Sequence, residues 1–121
     1  MASAVPAAII AWREIREVNV VKDDSIVELL AQLDIQRRGW TICDYWEADL
    51  CAIGISSTSC PHRLVYISTF GKPSGRFDYE CEHFHTDAKG DPDYDTIDEG
   101  CDVDLLALVE VMERHLGSPA T

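Results

Sequence analysis

Residues 77–85 alternate between acidic and mostly apolar or aromatic side chains, and this alternation restricts the fold more than any other local feature. Successive side chains of a β-strand point to opposite faces of the sheet, so a period of two predicts a strand with one packed and one solvated face. The solvated face would carry Asp78, Glu80 and Glu82. The packed face would carry the intervening residues, from Phe77 to His85.

The segment that follows is acidic, and its composition predicts a loop. Residues 91–99 contain four aspartates and one glutamate around Pro92. From residue 77 to residue 104 the chain has eleven of its 22 acidic residues and a single base, Lys89. A negative strand face that continues into a negative loop indicates a surface for a positively charged partner.

Two helices are predicted, one between a leading strand and the other strands and one that closes the chain. In the first, Ser25 and Glu28 have the spacing of a capping box, and an apolar helical face follows: Ile26, Leu29, Leu30 and Leu33. Arg37 and Arg38 are predicted to stabilise its carboxyl end, and Gly39 to terminate it. The second helix would be capped by Asp102 or Asp104 and would end at Gly117.

The remaining apolar and β-branched segments predict a leading strand before the first helix, at residues 13–21, and strands joined by short turns after it, at residues 39–47, 50–56 and 63–70. Short turns imply antiparallel neighbours, because parallel strands need long crossover connections. The expected fold is therefore a single α+β domain over residues 1–121. It would have a mainly antiparallel sheet of about five strands, with two helices packed on one face.

The overall charge excludes several classes of partner. The formal net charge is −12, which would repel nucleic acid and anionic membranes. We expect no transmembrane helix, because no apolar run approaches about 18 residues. We expect no signal peptide, because the apolar start lacks a positive region and runs into Arg13. Five cysteines without a CxxC pair predict free thiols and a cytoplasmic protein.

A metal site is the main alternative to a binding surface. Cys81, His83 and His85 would lie on one strand face, where such ligands can converge on zinc, although packing residues would show the same pattern. Asp91, Asp93 and Asp95 imitate the start of a calcium loop. That pattern breaks further on, where Thr96 replaces glycine and Asp102 replaces glutamate. We therefore expect no bound metal and no other cofactor.

No catalytic motif stands out in the chain. Five cysteines and four histidines give chance pairs, but the sequence contains no GxSxG, HExxH or P-loop motif. A carboxyl group acting as a general acid needs burial to raise its pKa, and the acids here are expected to face solvent. Trp40, Tyr45 and Trp46 are expected in the core or at a sheet edge rather than in a stacking platform. The prediction is that this protein is not an enzyme.

Four segments carry a family resemblance: SIVELLAQL, LCAIGIS, RLVYIST and the terminal HLGSP. Over about residues 15–119 this layout resembles the immunity proteins of bacterial polymorphic and contact-dependent toxin systems. The resemblance implies a protein that binds one cognate toxin domain in the producing cell and blocks its active site.

The functional prediction is therefore a cytoplasmic immunity protein, or antitoxin. It would occupy the active-site cleft of a toxin that has a basic surface and acts on nucleic acid. The residues predicted to bind this partner lie on the strand face and in the acidic loop: Asp78, Glu80, Glu82, Asp91, Asp93, Tyr94, Asp95, Asp98 and Glu99. The alternative is a small metal-binding domain or metalloenzyme that uses Cys81, His83 and His85.

Overall fold

The computed structural model describes residues 22–43 and 49–117, which form an antiparallel sheet and two helices. The helices are α1 (Asp24–Leu33) and α2 (Leu105–Leu116). The strands are β1 (Trp40–Ile42), β2 (Ala52–Ser57), β3 (Arg63–Ser68), β4 (Phe77–Thr86) and β5 (Pro92–Val103). They lie in the order β1-β2-β3-β4-β5, and every neighbouring pair is antiparallel. The predicted α+β fold is confirmed.

One face of the sheet forms the core together with both helices. Cross-strand pairs such as Ile53–Ile67 and Val65–Cys81 place apolar side chains side by side on this face. The helices add their buried residues to the same cluster: Ile26, Leu29, Leu30 and Leu33 from α1, and Leu108, Val111, Met112 and Leu116 from α2. All the β2, β3 and β4 residues in this cluster share one strand face, so both helices pack on that face, as predicted.

The acidic segment predicted to be a loop is instead strand β5, the longest strand described. A tight turn reverses the chain between β4 and β5: the Asp87 amide donates to Asp91 O (2.8 Å), and Asp87 Oδ1 accepts from the amides of Lys89 and Asp91. Pro92 fits here because the first position of an edge strand needs no amide donor. The prediction failed because pairing with β4 outweighs the low strand propensity of aspartate.

The start of α1 also differs from the prediction. Asp23, not Ser25, is the N-cap, and its carboxylate accepts the Ser25 amide at 3.0 Å. The hydroxyl of Ser25 donates to the same carboxylate and lies 2.7 Å from Thr69 Oγ1, so Ser25 ties the helix to the end of β3. Asp23 takes the cap because an aspartate accepts an amide hydrogen bond as well as a serine does.

The end of α1 is only partly as expected. The helix ends at Leu33, and Asp34, in the left-handed conformation, is its C-cap in place of the predicted Gly39. Arg38 does reach the helix end, because its Nε donates to Leu33 O at 2.8 Å. For α2 the predictions are confirmed: Asp104 caps the start and Gly117 the end.

Several other predictions can be placed in the structure. Trp40 is buried in the core, whereas Tyr45 and Trp46 lie outside the described residues, as does the strand predicted at residues 13–21. All five cysteines are free thiols: Cys43, Cys51, Cys60, Cys81 and Cys101.

The corrected cap predicts which acid at the start of α1 matters for stability. Asp23→Ala should lower the free energy of unfolding by about 0.5–2 kcal/mol, because it leaves the Ser25 amide without its acceptor. Asp24→Ala is the matched control, since Asp24 is an exposed first-turn acid that lies beyond the cap. Chemical denaturation of both variants checks this, and equal losses would contradict the assignment of the cap.

A second stability prediction concerns Gly100 of β5, which pairs with Tyr79 of the neighbouring strand β4. A Cβ at this position would lie 2.8 Å from Cζ and 2.9 Å from the hydroxyl oxygen of Tyr79, a side chain that is itself buried. Gly100→Ala should therefore destabilise the protein by about 1–3 kcal/mol through overpacking. Cys101→Ala, at the next and exposed position, should change the unfolding midpoint little. A small loss at Gly100 would mean that the Tyr79 ring can move aside.

Candidate functional site

The nine residues predicted to bind a partner all lie on the β4–β5 hairpin, but the register divides them between two faces. A β-bulge at Ile97 shifts the pairing, so that Glu80 faces Glu99 while Glu82 faces Thr96. The face opposite the helices carries the open-face patch: Asp78, Glu80, Glu82 and Glu99, with Tyr94 further along. The helix-side face carries the acidic row, which consists of Asp93, Asp95 and Asp98. Asp91 lies in the turn.

The open-face patch borders a shallow cavity of about 400 Å³. Tyr66 lines this cavity, and its hydroxyl donates to Asp49 at 3.3 Å. Burial, together with the negative charge of Asp49, raises the pKa of Tyr66, so the phenol keeps the proton that it donates to Asp49. The lining residues of the cavity include three acids, Asp78, Glu80 and Glu99, and their negative charge suits a cationic side chain.

The carboxylate of Asp78 is held by contacts within the protein. Its carboxylate accepts the Asp102 amide at 2.8 Å and lies 3.0 Å from the Lys72 ammonium. Burial alone would raise the pKa of Asp78, but these two donors outweigh it, and the pKa is lowered. The Lys72 ammonium therefore offsets much of the negative charge that Asp78 could offer a partner.

Glu82 does not lie on a solvated face as predicted, because only 8% of its surface is exposed. It pairs with the buried Leu64 on one side and with Thr96 on the other, in the middle of the sheet. Burial raises the pKa of Glu82, and the neighbouring Glu80 raises it further. Alternation in the sequence identified the correct face, but it could not show that this part of the face is covered.

The acidic row surrounds a histidine at the far end of the hairpin. His85 Nε2 lies 3.1 Å from Asp95 Oδ2 and 3.9 Å from Asp93 Oδ2, and the described residues give it no hydrogen bond of good geometry. On the opposite face, the rings of Phe84 and Tyr94 lie 5.3 Å apart. Asp98 has one cation nearby, Arg114 of α2 at 3.5 Å.

The residues of the alternative metal site share a strand face but do not form a ligand cluster. Cys81 is buried in the core, and burial followed by the charge of Asp98 raises the pKa of its thiol to about 11. A thiol with such a pKa is a poor ligand and a poor nucleophile at neutral pH. In residues 22–43 and 49–117, no three His, Cys, Asp or Glu side chains are placed to hold a metal ion.

A further cavity that the sequence did not indicate lies between β5 and α2. Its volume is about 360 Å³, and its lining includes Arg63, Cys81, Ile97, Asp98, Arg114 and His115. His115 Nε2 donates to Glu82 O at 2.9 Å, and burial lowers the pKa of His115, so the ring is neutral. Ile97 is 61% exposed at the mouth. Its exposure results from the β-bulge, and no local sequence pattern predicts that bulge.

Comparison with known proteins assigns no relative to this chain. No protein-family model, curated protein or solved structure matches it. Within the described residues, no helix has the length and apolar character needed to cross a membrane.

The burial of Glu82 predicts a pH-dependent stability. Because its pKa is raised in the folded state, the folded protein binds this proton more tightly than the unfolded chain does. The resulting stabilisation is complete below the unfolded pKa of about 4.3 and is lost as pH rises through the folded pKa. Glu82→Gln removes this loss, so the variant should gain stability relative to wild type as pH rises towards neutral.

The control is Glu110→Gln, the same change at an exposed position of α2. Urea denaturation at pH 4 and pH 7 compares the two variants with wild type. The quantity to compare is the difference in the free energy of unfolding between Glu82→Gln and wild type. If this difference is the same at pH 7 as at pH 4, the carboxyl group ionises in the folded protein without cost.

Proposed function

We propose that this chain is a bacterial immunity protein that binds a cognate toxin domain with a basic surface and neutralises it in the cytoplasm of the producing cell. The observation that carries the proposal is the charge of the β4–β5 hairpin. β5 has five acidic residues and no base, and residues 91–99 are all exposed. Eleven of the chain's 22 acids lie between residues 77 and 104.

A toxin that acts on nucleic acid is the partner that best fits this charge. Its substrate cleft must be positive to hold phosphates, so a nuclease or deaminase presents the surface that an acidic inhibitor complements. An inhibitor bound in that cleft excludes the substrate. Electrostatic steering also lets it associate quickly, at rates that can reach on the order of 10⁸–10⁹ M⁻¹s⁻¹ at low salt.

The predicted contact residues differ in what they offer such a partner. Asp93, Asp95 and Glu99 are exposed, and no Lys or Arg of the described residues lies within ion-pair distance of them. Asp78 and Glu82 are held within the sheet, so they would contribute to the field more than to direct contacts. Tyr94, at the hairpin end beside Phe84, would supply the aromatic anchor that protein interfaces commonly use.

We propose no nucleic acid and no anionic membrane as a partner of this protein. A formal net charge of −12 repels both, and the hairpin concentrates that charge. An enzymatic role has less support, because the buried Cys81 thiol has a pKa of about 11 and the neutral His115 is bound to a backbone carbonyl.

The test compares two variants that each raise the net charge by the same amount at different places. The first is Asp95→Asn with Glu99→Gln on β5, and the second is Asp24→Asn with Glu28→Gln on α1. All four residues are exposed. Association with the toxin domain encoded beside this chain's gene should slow by about three- to tenfold for the β5 pair and by less for the α1 pair.

Salt provides the internal control. The screening length is about 30 Å at 0.01 M ionic strength and about 10 Å at 0.1 M, so the difference between the pairs should shrink as salt is raised. Stopped-flow association rates at both ionic strengths measure this. Equal slowing by the two pairs would mean that the hairpin charge only aids solubility and that the interface lies elsewhere.

A further inference from the structure

The outer edge of β5 is a long and exposed strand edge. β5 is the last strand in the sheet and pairs with β4 along one side. In the described part of the chain, no strand pairs with its other side. Such an edge is a template for pairing with another chain, and proteins usually shorten it, bend it or charge it. Here the edge is twelve residues long and strongly charged.

The direction of each β5 amide follows from the ladder. The Phe84 amide donates to His62 O at 2.7 Å, towards β3, so the even-numbered residues of β4 are not hydrogen-bonded to β5 at this end of the hairpin. Antiparallel pairs alternate between hydrogen-bonded and non-bonded, and Thr96 lies opposite Glu82. The Thr96 amide therefore points outwards, away from β4. The Asp95 amide, in the adjacent bonded pair, points inwards.

Two further outward amides are held by the strand's own side chains. The Tyr94 amide donates to Asp93 Oδ1 and the Glu99 amide to Asp98 Oδ1, each at 2.9 Å. These hydrogen bonds satisfy the two amides without a neighbouring strand. They also place two carboxylates directly at the edge, where an incoming strand would meet them.

We propose that the outer edge of β5 accepts an extended, basic segment of the toxin domain as a sixth strand of the sheet. The inference rests on the proposed function and adds the way in which the partner is held. Main-chain hydrogen bonds would supply affinity, and the side chains of the segment would supply specificity, as in other cases of strand addition. Lysine or arginine side chains beside Asp93 and Asp98 would draw these carboxylates away and free the two amides for the new ladder.

Charge decides between a toxin segment and a second copy of this chain. β5 carries Asp93, Asp95, Asp98, Glu99 and Asp102 and no base. Two such edges would bring acids against acids, and like charges across strands are destabilising. The bases of a basic strand would instead lie beside acids, and opposite charges across strands are stabilising.

The acidic row further specifies the segment. Asp93, Asp95 and Asp98 share the helix-side face, so the bases of the segment should recur on that face, at alternate positions. Tyr94 and Thr96 lie on the other face, where they can contact the alternating branched side chains of the segment. A segment of alternating basic and β-branched residues satisfies these conditions.

The first experiment uses a ten-residue peptide of alternating lysine and valine as the probe and the wild-type protein. Amide hydrogen exchange is followed by NMR. At saturating peptide, exchange of the outward Thr96 amide should slow by at least about tenfold, since a ladder bond now protects it. Exchange of the inward Asp95 amide should change little. A peptide of the same charge with alternate amides N-methylated is the control. Unchanged exchange at Thr96 overturns the inference.

The second experiment tests the same edge with the toxin domain. Thr96→Pro removes the outward donor and no bond to β4, and Pro92 already occupies an equivalent position in this strand. Thr96→Val keeps the amide and has nearly the same shape. Thr96→Pro should weaken binding by roughly five- to tenfold, as expected for the loss of one ladder bond. Thr96→Val should bind as wild type does.

The outcomes separate the two proposals. If the β5 charge variants slow association but Thr96→Pro and Thr96→Val bind equally, the immunity function stands and strand addition is wrong. If the peptide protects Thr96 but the toxin domain does not bind, the edge accepts basic strands and the proposed partner is wrong.

Discussion

The pairing of β4 with both of its neighbours is the constraint on which the rest of the molecule depends. On one edge β4 continues the apolar sheet through pairs such as Val65–Cys81. On the other edge it holds β5, whose composition would not make a strand unaided. Phe77, Tyr79 and Cys81 anchor β4 in the core beneath α2, so backbone hydrogen bonds to β5 form on a rigid template. The acids of β5 are therefore fixed in space despite their mutual repulsion.

That fixed geometry sorts the acids by role. Asp78 and Asp102 are drawn into bonds that link β4, β5 and the preceding turn, through Lys72 and Arg76. Glu82 is buried, where its ionisation is costly. Asp93, Asp95 and Glu99 remain exposed along an open strand edge. The acids of one acidic stretch of sequence thus divide into two groups. The first group is bonded or buried within the sheet, and only the second, exposed group is suited to contact a partner.

The same edge raises a question of self-association, and the charge answers it. A long free edge would ordinarily pair with another copy of the chain. Five acids on β5, with Asp93 and Asp98 bonded to outward amides, oppose this. The features that prevent self-pairing are those that a basic partner would complement.

The sequence by itself determined the elements whose signals are local. The apolar face of α1, the buried strands β2 and β3, the alternation of β4 from Phe77 to Cys81, and the caps Asp104 and Gly117 were predicted correctly, because each depends on spacing within a few residues. Beyond Cys81 the predicted alternation is wrong, since Glu82 is buried and His83 is exposed. From these elements the α+β fold and the packing of both helices on one sheet face also followed, as did the concentration of acids on the hairpin.

Tertiary structure decided the rest, because it depends on contacts between residues distant in sequence. β5 is a strand only because β4 offers it a ladder, and the bulge at Ile97 that divides its acids between two faces arises from the register of that ladder. Glu82 is buried because of what lies beside it in the sheet, and Ser25 serves as a tie to Thr69 because the end of β3 lies beside the start of α1. Local patterns set the propensity of each segment, whereas pairing and burial set the environment of each charge.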